Sequence, residues 1–137
     1  MKTVLFACLH NAGRSQMAAA FFDARADPAK ARAVSAGTRP ADKVHPEVVE
    51  AMREVEIDLG GATPRLLEPK IAEEADLLVT MGCGEECPFV PGLAREDWEL
   101  PDPKGQPVEL VRRIREGIRS RVLSLLDRHG WHRAGLR

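Results

Sequence analysis

Short apolar runs alternate with amphipathic stretches along this chain. Residues 3–8 and 76–81 are almost continuously apolar, which is typical of strands buried on both faces of a parallel sheet. Residues 32–36 and 96–100 are shorter candidates for two further strands. Because helical stretches separate these runs, the pattern predicts an α/β fold with helices on both faces of a parallel sheet.

Four stretches predict helices: residues 15–25, 46–55, 68–74 and a long final helix between Pro107 and Gly130. The apolar residues of the final helix recur every three or four positions, which defines one buried face. These residues are Val108, Val111, Ile114, Ile118, Val122, Leu125 and Leu126. In the second helix, the residues expected to face the core are Val48, Val49, Met52 and Val55. A length of 137 residues suits a single domain, residues 1–137.

The loop after the first predicted strand carries the predicted chemistry. It reads Cys8-Leu9-His10-Asn11-Ala12-Gly13-Arg14-Ser15 and leads directly into a predicted helix. The backbone N–H groups of such a loop curl around one point, where a tetrahedral anion binds. We therefore predict that Cys8 is a nucleophile and that residues 9–15 bind an oxyanion substrate.

Cys8 and Arg14 are the expected reactive pair. The positive end of the following helix and the Arg14 guanidinium both favour the thiolate form of Cys8, which is the nucleophilic form. The planar guanidinium can also bind two oxygens of one anion. The alternative is a buried core cysteine followed by a surface arginine. The strand before the loop and the helix after it favour the catalytic interpretation.

Neighbouring residues are predicted to shape this loop. Gly13 permits a positive φ where the backbone turns tightly, and the Asn11 side chain hydrogen-bonds across the loop. Ser15 either caps the following helix or donates its hydroxyl to the Cys8 sulfur. His10 is expected to tune the field around Cys8.

The other two cysteines, Cys83 and Cys87, lie in a glycine-rich loop after the second buried strand. Because ligands of parallel sheets bind at the carboxyl ends of strands, Cys83 and Cys8 are expected to share one rim. Cys83 would then attack an adduct on Cys8, and Cys87 would pass the disulfide to an external dithiol protein. The alternatives are a structural zinc, with His10 as a third ligand, and two incidental buried thiols.

Asp102 lies between Pro101 and Pro103, which stiffen its backbone. Its carboxyl group is a candidate general acid that protonates a leaving oxygen. A turn aspartate beside proline is the alternative. We expect Asp102 at the site in either case.

Composition and charge narrow the expected partners. The formal net charge of −1 gives no basic field for nucleic acid or a membrane surface, and no apolar run approaches a membrane span. Three cysteines are too few for a disulfide scaffold, and a reducing compartment would leave them free for chemistry. Because a cleaved signal would remove the reactive loop, we expect a cytoplasmic protein without nucleic-acid or membrane partners.

Together, Cys8-x5-Arg14-Ser15, Cys83 with Cys87 downstream, and Asp102-Pro103 resemble the arsenate reductases built on the low-molecular-weight protein tyrosine phosphatase fold. The likeness extends from residue 2 to about residue 127. The resemblance implies a three-layer α/β/α domain with a four-stranded parallel sheet, and reduction of arsenate to arsenite. Cys8 would form the arseno adduct, Cys83 would attack it, and Cys87 would resolve the disulfide.

The resemblance also implies the partners of the reaction. Arg14 would bind arsenate, Asp102 would match the general acid of the phosphatases, and thioredoxin would donate electrons, with no tightly bound cofactor. Ala19 stands where potassium-binding members carry an acidic residue, so we expect no metal site.

Two enzymatic alternatives remain open. Residues 81–84 and 96–103 also resemble members that use mycothiol and mycoredoxin, in which Cys83 and Cys87 need not cycle. A low-molecular-weight protein tyrosine phosphatase would keep only Cys8, Arg14 and Asp102. Against it, the chain has no tyrosine, and Lys104 follows Asp102-Pro103 where these phosphatases place an aromatic wall. An oxyanion-binding or zinc-holding module without turnover is the non-enzymatic alternative.

Overall fold

The computed structural model of the chain describes residues 1–82 and 89–133. Its strands are β1 (Lys2–Cys8), β2 (Ala31–Gly37), β3 (Leu77–Thr80) and β4 (Ala94–Asp97). Its helices are α1 (Arg14–Arg25), α2 (Pro46–Arg53), α3 (Pro69–Glu73) and α4 (Val108–His129). In these residues, no helix combines the length and the apolar character needed to cross a membrane.

The four strands form one parallel sheet in the order β2-β1-β3-β4. Cys8 at the end of β1 is in register with Gly37 of β2, and Ala7 is in register with Thr80 of β3. The carboxyl ends of three strands therefore meet at one rim of the sheet. The predicted reactive loop leaves the sheet from the centre of this rim.

Alternate residues of β1 face two separate apolar layers, because side chains along a strand point to opposite faces. Val4 and Phe6 pack in a core built with helices α1, α2 and α4. Leu5 and Ala7 face the other side, where they pack with Ala72 of α3. This arrangement confirms the predicted three-layer α/β/α fold and explains why β1 is apolar from Val4 to Cys8.

The prediction of the fourth strand is wrong by two residues at its start and three at its end. We expected residues 96–100, whereas β4 begins at Ala94 and ends at Asp97. Three of its four side chains are exposed, because β4 lies at the edge of the sheet. The apolar signal at Trp98 and Leu100 instead marks the segment that leaves the strand, where Trp98 is buried.

The final helix is confirmed from Val108 to His129, and it ends at Gly130, which has a left-handed φ of 69°. Its first apolar residue is an exception to the predicted buried face, since Val108 is 44% exposed. Val108 is the first residue of α4 and packs on one side only, so periodicity overstates its burial. In α2, Val48 and Met52 are buried as predicted, whereas Val49 is only half-buried against the core. Val55 is also half-buried and lies beyond the end of α2 at Arg53, so the helix predicted over residues 46–55 is two residues too long.

Candidate active site

The thiol of Cys8 is buried at the carboxyl end of β1, with 2% of the residue exposed. Its Sγ atom lies 2.8 Å from the Oγ atom of Ser15, in the first turn of α1. Ser15 Oγ also accepts a hydrogen bond from Asn11 Nδ2 at 2.7 Å, and its hydroxyl proton is still free to donate to the sulfur. Ser15 is therefore placed to donate its hydroxyl to the Cys8 sulfur, which is one of its two predicted roles. The other role, capping of the helix, is wrong, because α1 has no side-chain cap.

Asn11 is the residue that fixes the shape of the loop. Its Oδ1 atom accepts hydrogen bonds from the Arg65 backbone N–H at 3.0 Å and from Gln16 Nε2 at 3.2 Å. Because a backbone N–H only donates, the amide NH₂ of Asn11 must face Ser15. The predicted hydrogen bond across the loop is therefore confirmed.

The predicted backbone role of Gly13 is wrong. Its φ is −144°, whereas the left-handed residue of the loop is Asn11, with a φ of 50°. Asparagine tolerates this conformation better than most residues. Gly13 is required for a different reason, because a β-carbon there would lie 2.9 Å from Cγ of Pro103. The glycine allows the loop to approach the segment that carries Asp102.

The backbone of the loop is oriented by the segment that follows β2. Four carbonyl groups accept hydrogen bonds of 2.8 to 3.3 Å from N–H groups of this segment. The carbonyls are those of Cys8, Leu9, His10 and Ala12, and the donors are Thr38, Arg39, Ala41 and His45. The N–H groups of residues 9–13 donate no hydrogen bond to any other residue that the structure describes. With its carbonyls turned outward, the loop has N–H donors for an anion.

Arg14 is held beside the loop by two other segments. Its Nη1 atom donates to the Leu100 carbonyl oxygen at 2.9 Å, and the residue is 8% exposed. Gly82, just after β3, packs directly on the guanidinium. A β-carbon at residue 82 would overlap Nη1 and lie 2.9 Å from Cζ of Arg14. Only glycine fits here, and its φ of 87° reinforces that requirement.

Asp102 lies at the site, as expected. Its Oδ2 atom is 3.9 Å from Nη2 of Arg14, and 44% of its side chain is exposed. Its Oδ1 atom accepts a hydrogen bond from the Lys104 backbone N–H at 3.0 Å, which is a local turn interaction. Both roles considered for Asp102 are thus compatible with its geometry.

Cys83 and Cys87 lie outside the described residues, so their predicted roles remain predictions. The structure describes the chain up to Gly82, and the Met81 N–H donates to the Ala7 carbonyl at 2.8 Å. Among the described residues, no group of three or more His, Cys, Asp and Glu side chains could hold a metal.

His45 was missed by the sequence analysis, because a single histidine before a helix has no distinctive pattern. Its N–H donates to the Ala12 carbonyl at 2.9 Å, and its ring lies 6.5 Å from that of His10. Partial burial lowers the pKa of His45, although the carboxylates of Glu47 and Asp102 oppose that shift. His10 donates from Nδ1 to the Arg39 carbonyl at 3.1 Å, because a carbonyl can only accept.

The family described as low molecular weight phosphotyrosine protein phosphatase matches residues 3–132 of this sequence. This chain belongs to that family. A Halobacterium salinarum relative is 41% identical over 126 residues, which cover 89% of each chain. A Synechocystis protein described as glutaredoxin arsenate reductase is 37% identical over 129 residues, covering 92% of this chain and 97% of its own.

The structural comparison also finds a relative that is described as an arsenate reductase. A thioredoxin-dependent arsenate reductase from Corynebacterium glutamicum matches with a TM-score of 0.80 and 36% identity. The match covers 93% of this chain and 61% of that one. The resemblance inferred from the cysteine and arginine spacing is therefore confirmed for the family and the fold. It also extends to family members that are named arsenate reductases.

Proposed function

We propose that this chain is an arsenate reductase, an enzyme that converts arsenate to arsenite with electrons from an external thiol reductant. The observation that carries the proposal is the likeness to two named arsenate reductases, at 37% and 36% identity over 92% and 93% of the chain. The geometry of Cys8 and its loop supports the same chemistry. A phosphatase is not favoured, because these relatives are reductases.

The first step is an attack of the Cys8 thiolate on the arsenic atom. An As–S bond forms, and one arsenate oxygen takes up protons and leaves as water. The N–H groups of the loop and the Arg14 guanidinium bind the remaining oxygens. Asp102, 3.9 Å from Arg14, is the proposed proton donor to the departing oxygen.

The second step is the reduction. Cys83 attacks Sγ of Cys8, an S–S bond forms, and the As–S bond breaks. Its electron pair stays on arsenic, which leaves as arsenite in the +3 state. Cys87 then attacks Cys83, which frees Cys8 and leaves a Cys83–Cys87 disulfide for the external reductant.

Thioredoxin is the proposed reductant. The Corynebacterium structure is described as thioredoxin-dependent and the Synechocystis relative as glutaredoxin-type, so both names indicate a redox protein as donor. Mycothiol with mycoredoxin is the donor that the experiment below must exclude. A cytoplasmic location fits this chemistry, because a reducing compartment keeps the three cysteines as thiols.

The test is arsenite production by the purified protein in two parallel assays. One assay contains thioredoxin, thioredoxin reductase and NADPH, and the other contains mycothiol, mycoredoxin and their reductase. We expect turnover with thioredoxin that is lost in both Cys8→Ser and Cys87→Ser. A fall of at least about a thousandfold is expected for Cys8→Ser, because the nucleophile is removed.

Two outcomes would contradict parts of this proposal. Turnover only with mycothiol, unchanged in Cys87→Ser, would make the protein an arsenate–mycothiol transferase that uses Cys8 alone. No arsenite in either assay, with hydrolysis of aryl phosphates intact, would make it a phosphatase. The unfolding temperature of each variant controls for misfolding.

A further inference from the structure

Gln16 is a buried polar residue in the first turn of α1, and no step of the proposed reaction uses it. Only 7% of the residue is exposed. Glutamine is mostly found at protein surfaces, because its amide needs hydrogen-bond partners wherever it is buried. The partners of this amide therefore indicate what Gln16 does in the fold.

The amide of Gln16 contacts Asn11 twice. Its Nε2 atom donates to the backbone carbonyl of Asn11 at 3.1 Å and to Asn11 Oδ1 at 3.2 Å. Both of these oxygens can only accept a hydrogen bond, so the NH₂ of Gln16 must face them. The orientation of the Gln16 amide is thus fixed, and its two N–H donors serve the reactive loop.

The Asn11 carbonyl differs from the other carbonyls of the loop in what holds it. Backbone N–H groups of residues 38–45 hold the carbonyls of Cys8, Leu9, His10 and Ala12. Main-chain donors of this kind are supplied by almost any residue type. Within the described part of the chain, the Asn11 carbonyl accepts only from the side chain of Gln16. One peptide of the loop is therefore oriented by the identity of a side chain.

The direction of the Asn11 carbonyl decides where the next N–H points. Gln16 lines a cleft between α1 and β2, on the outer side of the loop, so the carbonyl is turned outward. In a trans peptide the carbonyl and the following N–H point in opposite directions, and the described residues contain no cis peptide bond. The Ala12 N–H therefore faces the inside of the loop, where the anion binds.

We infer that Gln16 is a positioning residue for oxyanion binding, because its amide holds the Asn11 carbonyl outward and so keeps the Ala12 N–H directed at the anion. The inference rests on the oxyanion-binding loop of the proposed function. Gln16 acts through the peptide between Asn11 and Ala12 and does not touch the anion itself. Without its amide, this peptide is free to rotate and to present a carbonyl oxygen, which repels an anion.

The second contact of Gln16, with Asn11 Oδ1, has a substitute. The Arg65 backbone N–H donates to the same oxygen at 3.0 Å, so the Asn11 side chain stays in place without Gln16. Asn11 Nδ2 then continues to donate to Ser15, whose hydroxyl lies beside the Cys8 sulfur. Loss of the Gln16 amide should therefore weaken anion binding and leave the reactivity of the thiol unchanged.

The test is the affinity of the full chain for inorganic phosphate, measured by titration calorimetry in Gln16→Met. Methionine keeps the length of the side chain and removes both donors. We expect the dissociation constant to rise by about tenfold or more, because a donor to a charged group loses its orientation. Alkylation of Cys8 by iodoacetamide, an uncharged reagent, reports on the thiolate, and its pH profile should shift by less than about 0.5 pH units. Gln16→Glu replaces the donor with an acceptor and should lose at least as much affinity.

Phe21→Leu is the matched control, because Phe21 is a buried core residue of the same helix, at 4% exposure. It should lower the unfolding temperature and leave the phosphate affinity within about threefold of the original. Equal losses of affinity in Phe21→Leu and Gln16→Met would overturn the inference, since they would reflect the stability of α1.

Two further results would overturn the role of Gln16. One is an unchanged phosphate affinity in Gln16→Met. The other is a larger shift of the alkylation profile, since Gln16 would then act on the thiol of Cys8. No arsenite production by an original protein that binds phosphate would reject the proposed function and leave the role of Gln16 standing. No phosphate binding by the original protein would reject both.

Discussion

Two side chains, Asn11 and Ser15, support the thiol of Cys8. Asn11 donates to Ser15 Oγ, which lies 2.8 Å from the sulfur. Asn11 itself is fixed by the Arg65 backbone, 54 residues away in sequence. A distant backbone segment therefore helps to fix the hydroxyl that lies beside the sulfur. This contact to Cys8 is present before any substrate binds.

Gly82→Ala is predicted to weaken oxyanion binding through Arg14. The new β-carbon would overlap the guanidinium, so Arg14 must move away from its position beside the loop. We expect the affinity for inorganic phosphate or arsenate, measured by calorimetry, to fall at least tenfold. The positive φ adds a stability cost of about 1 to 2 kcal/mol.

Gly92→Ala is the control for this backbone cost. Gly92 has a similar φ of 80°, but a β-carbon at residue 92 would meet no described atom within 4 Å. Gly92→Ala should lose only the stability that the positive φ costs, whereas Gly82→Ala should lose at least as much stability and also lose anion affinity. Equal affinities in the two variants would show that Arg14 tolerates the β-carbon.

Asp102→Asn is predicted to separate two reactions of the same site. The aryloxide of an aryl phosphate needs a proton to leave phosphorus, whereas an arsenate oxygen leaves arsenic more readily. We expect hydrolysis of an aryl phosphate to fall by about 100-fold or more, the usual effect of a general acid. Arsenate reduction should fall less than tenfold. Equal losses would indicate that Asp102 serves both reactions or orients Arg14.

At the scale of secondary-structure elements, a cluster of charged side chains joins helices α2 and α4. Glu54, just after α2, binds Arg112 at 2.6 Å and Arg115 at 2.7 Å. Arg115 also donates to the Ala51 carbonyl at 2.8 Å and is only 9% exposed. The hydrogen bonds that Glu54 accepts from Arg112 and Arg115 lower its pKa from 4.5 to about 2.

Glu54→Gln is predicted to destabilise the protein in a pH-dependent way. Because the pKa of Glu54 is lower in the folded chain, its contribution is complete above pH 4.5 and is lost as the pH falls towards 2. The difference in unfolding temperature between the variant and the original protein should therefore be largest near neutral pH. It should shrink steadily below pH 4.5.

Glu50→Gln serves as the matched control, because Glu50 pairs with Arg53 within α2 and both side chains are well exposed. Exposed pairs of this kind contribute little to stability. Its unfolding temperature should follow that of the original protein at every pH. A pH-independent loss in Glu54→Gln would instead indicate a packing role for the side chain.

At the scale of the whole molecule, the reactive loop connects distant parts of the chain. It continues from β1 into α1, its carbonyls bind the segment after β2, and Gly13 contacts Pro103 before α4. An anion in this loop therefore binds only the folded chain. Its binding must stabilise the whole domain.

Inorganic phosphate is accordingly predicted to raise the unfolding temperature. At about 100 times its Kd, the ligand adds about 2.7 kcal/mol, which corresponds to roughly 5 to 10 °C for a domain of this size. Scanning calorimetry with potassium chloride at matched ionic strength is the control. The same rise with chloride would show a general salt effect rather than binding in the loop.

Much of this architecture could be predicted because its signals are local. The apolar runs at β1 and β3 and the periodicity of α4 arise from burial of consecutive turns or strand residues. The charged edge strand β4 has no such signal, so its predicted position was displaced. The spacing of Cys8 and Arg14 likewise indicated an oxyanion loop, because both residues belong to one short segment.

The sequence by itself determined the fold class, the family and the Cys8 loop, since these follow from neighbouring residues. Only the tertiary structure decided which residues hold that loop in place. Arg65 fixes Asn11, the Leu100 carbonyl holds Arg14 across 86 positions, and Gly82 makes room for the guanidinium. Contacts between such distant residues follow from the packing of the sheet and leave no periodic pattern along the chain.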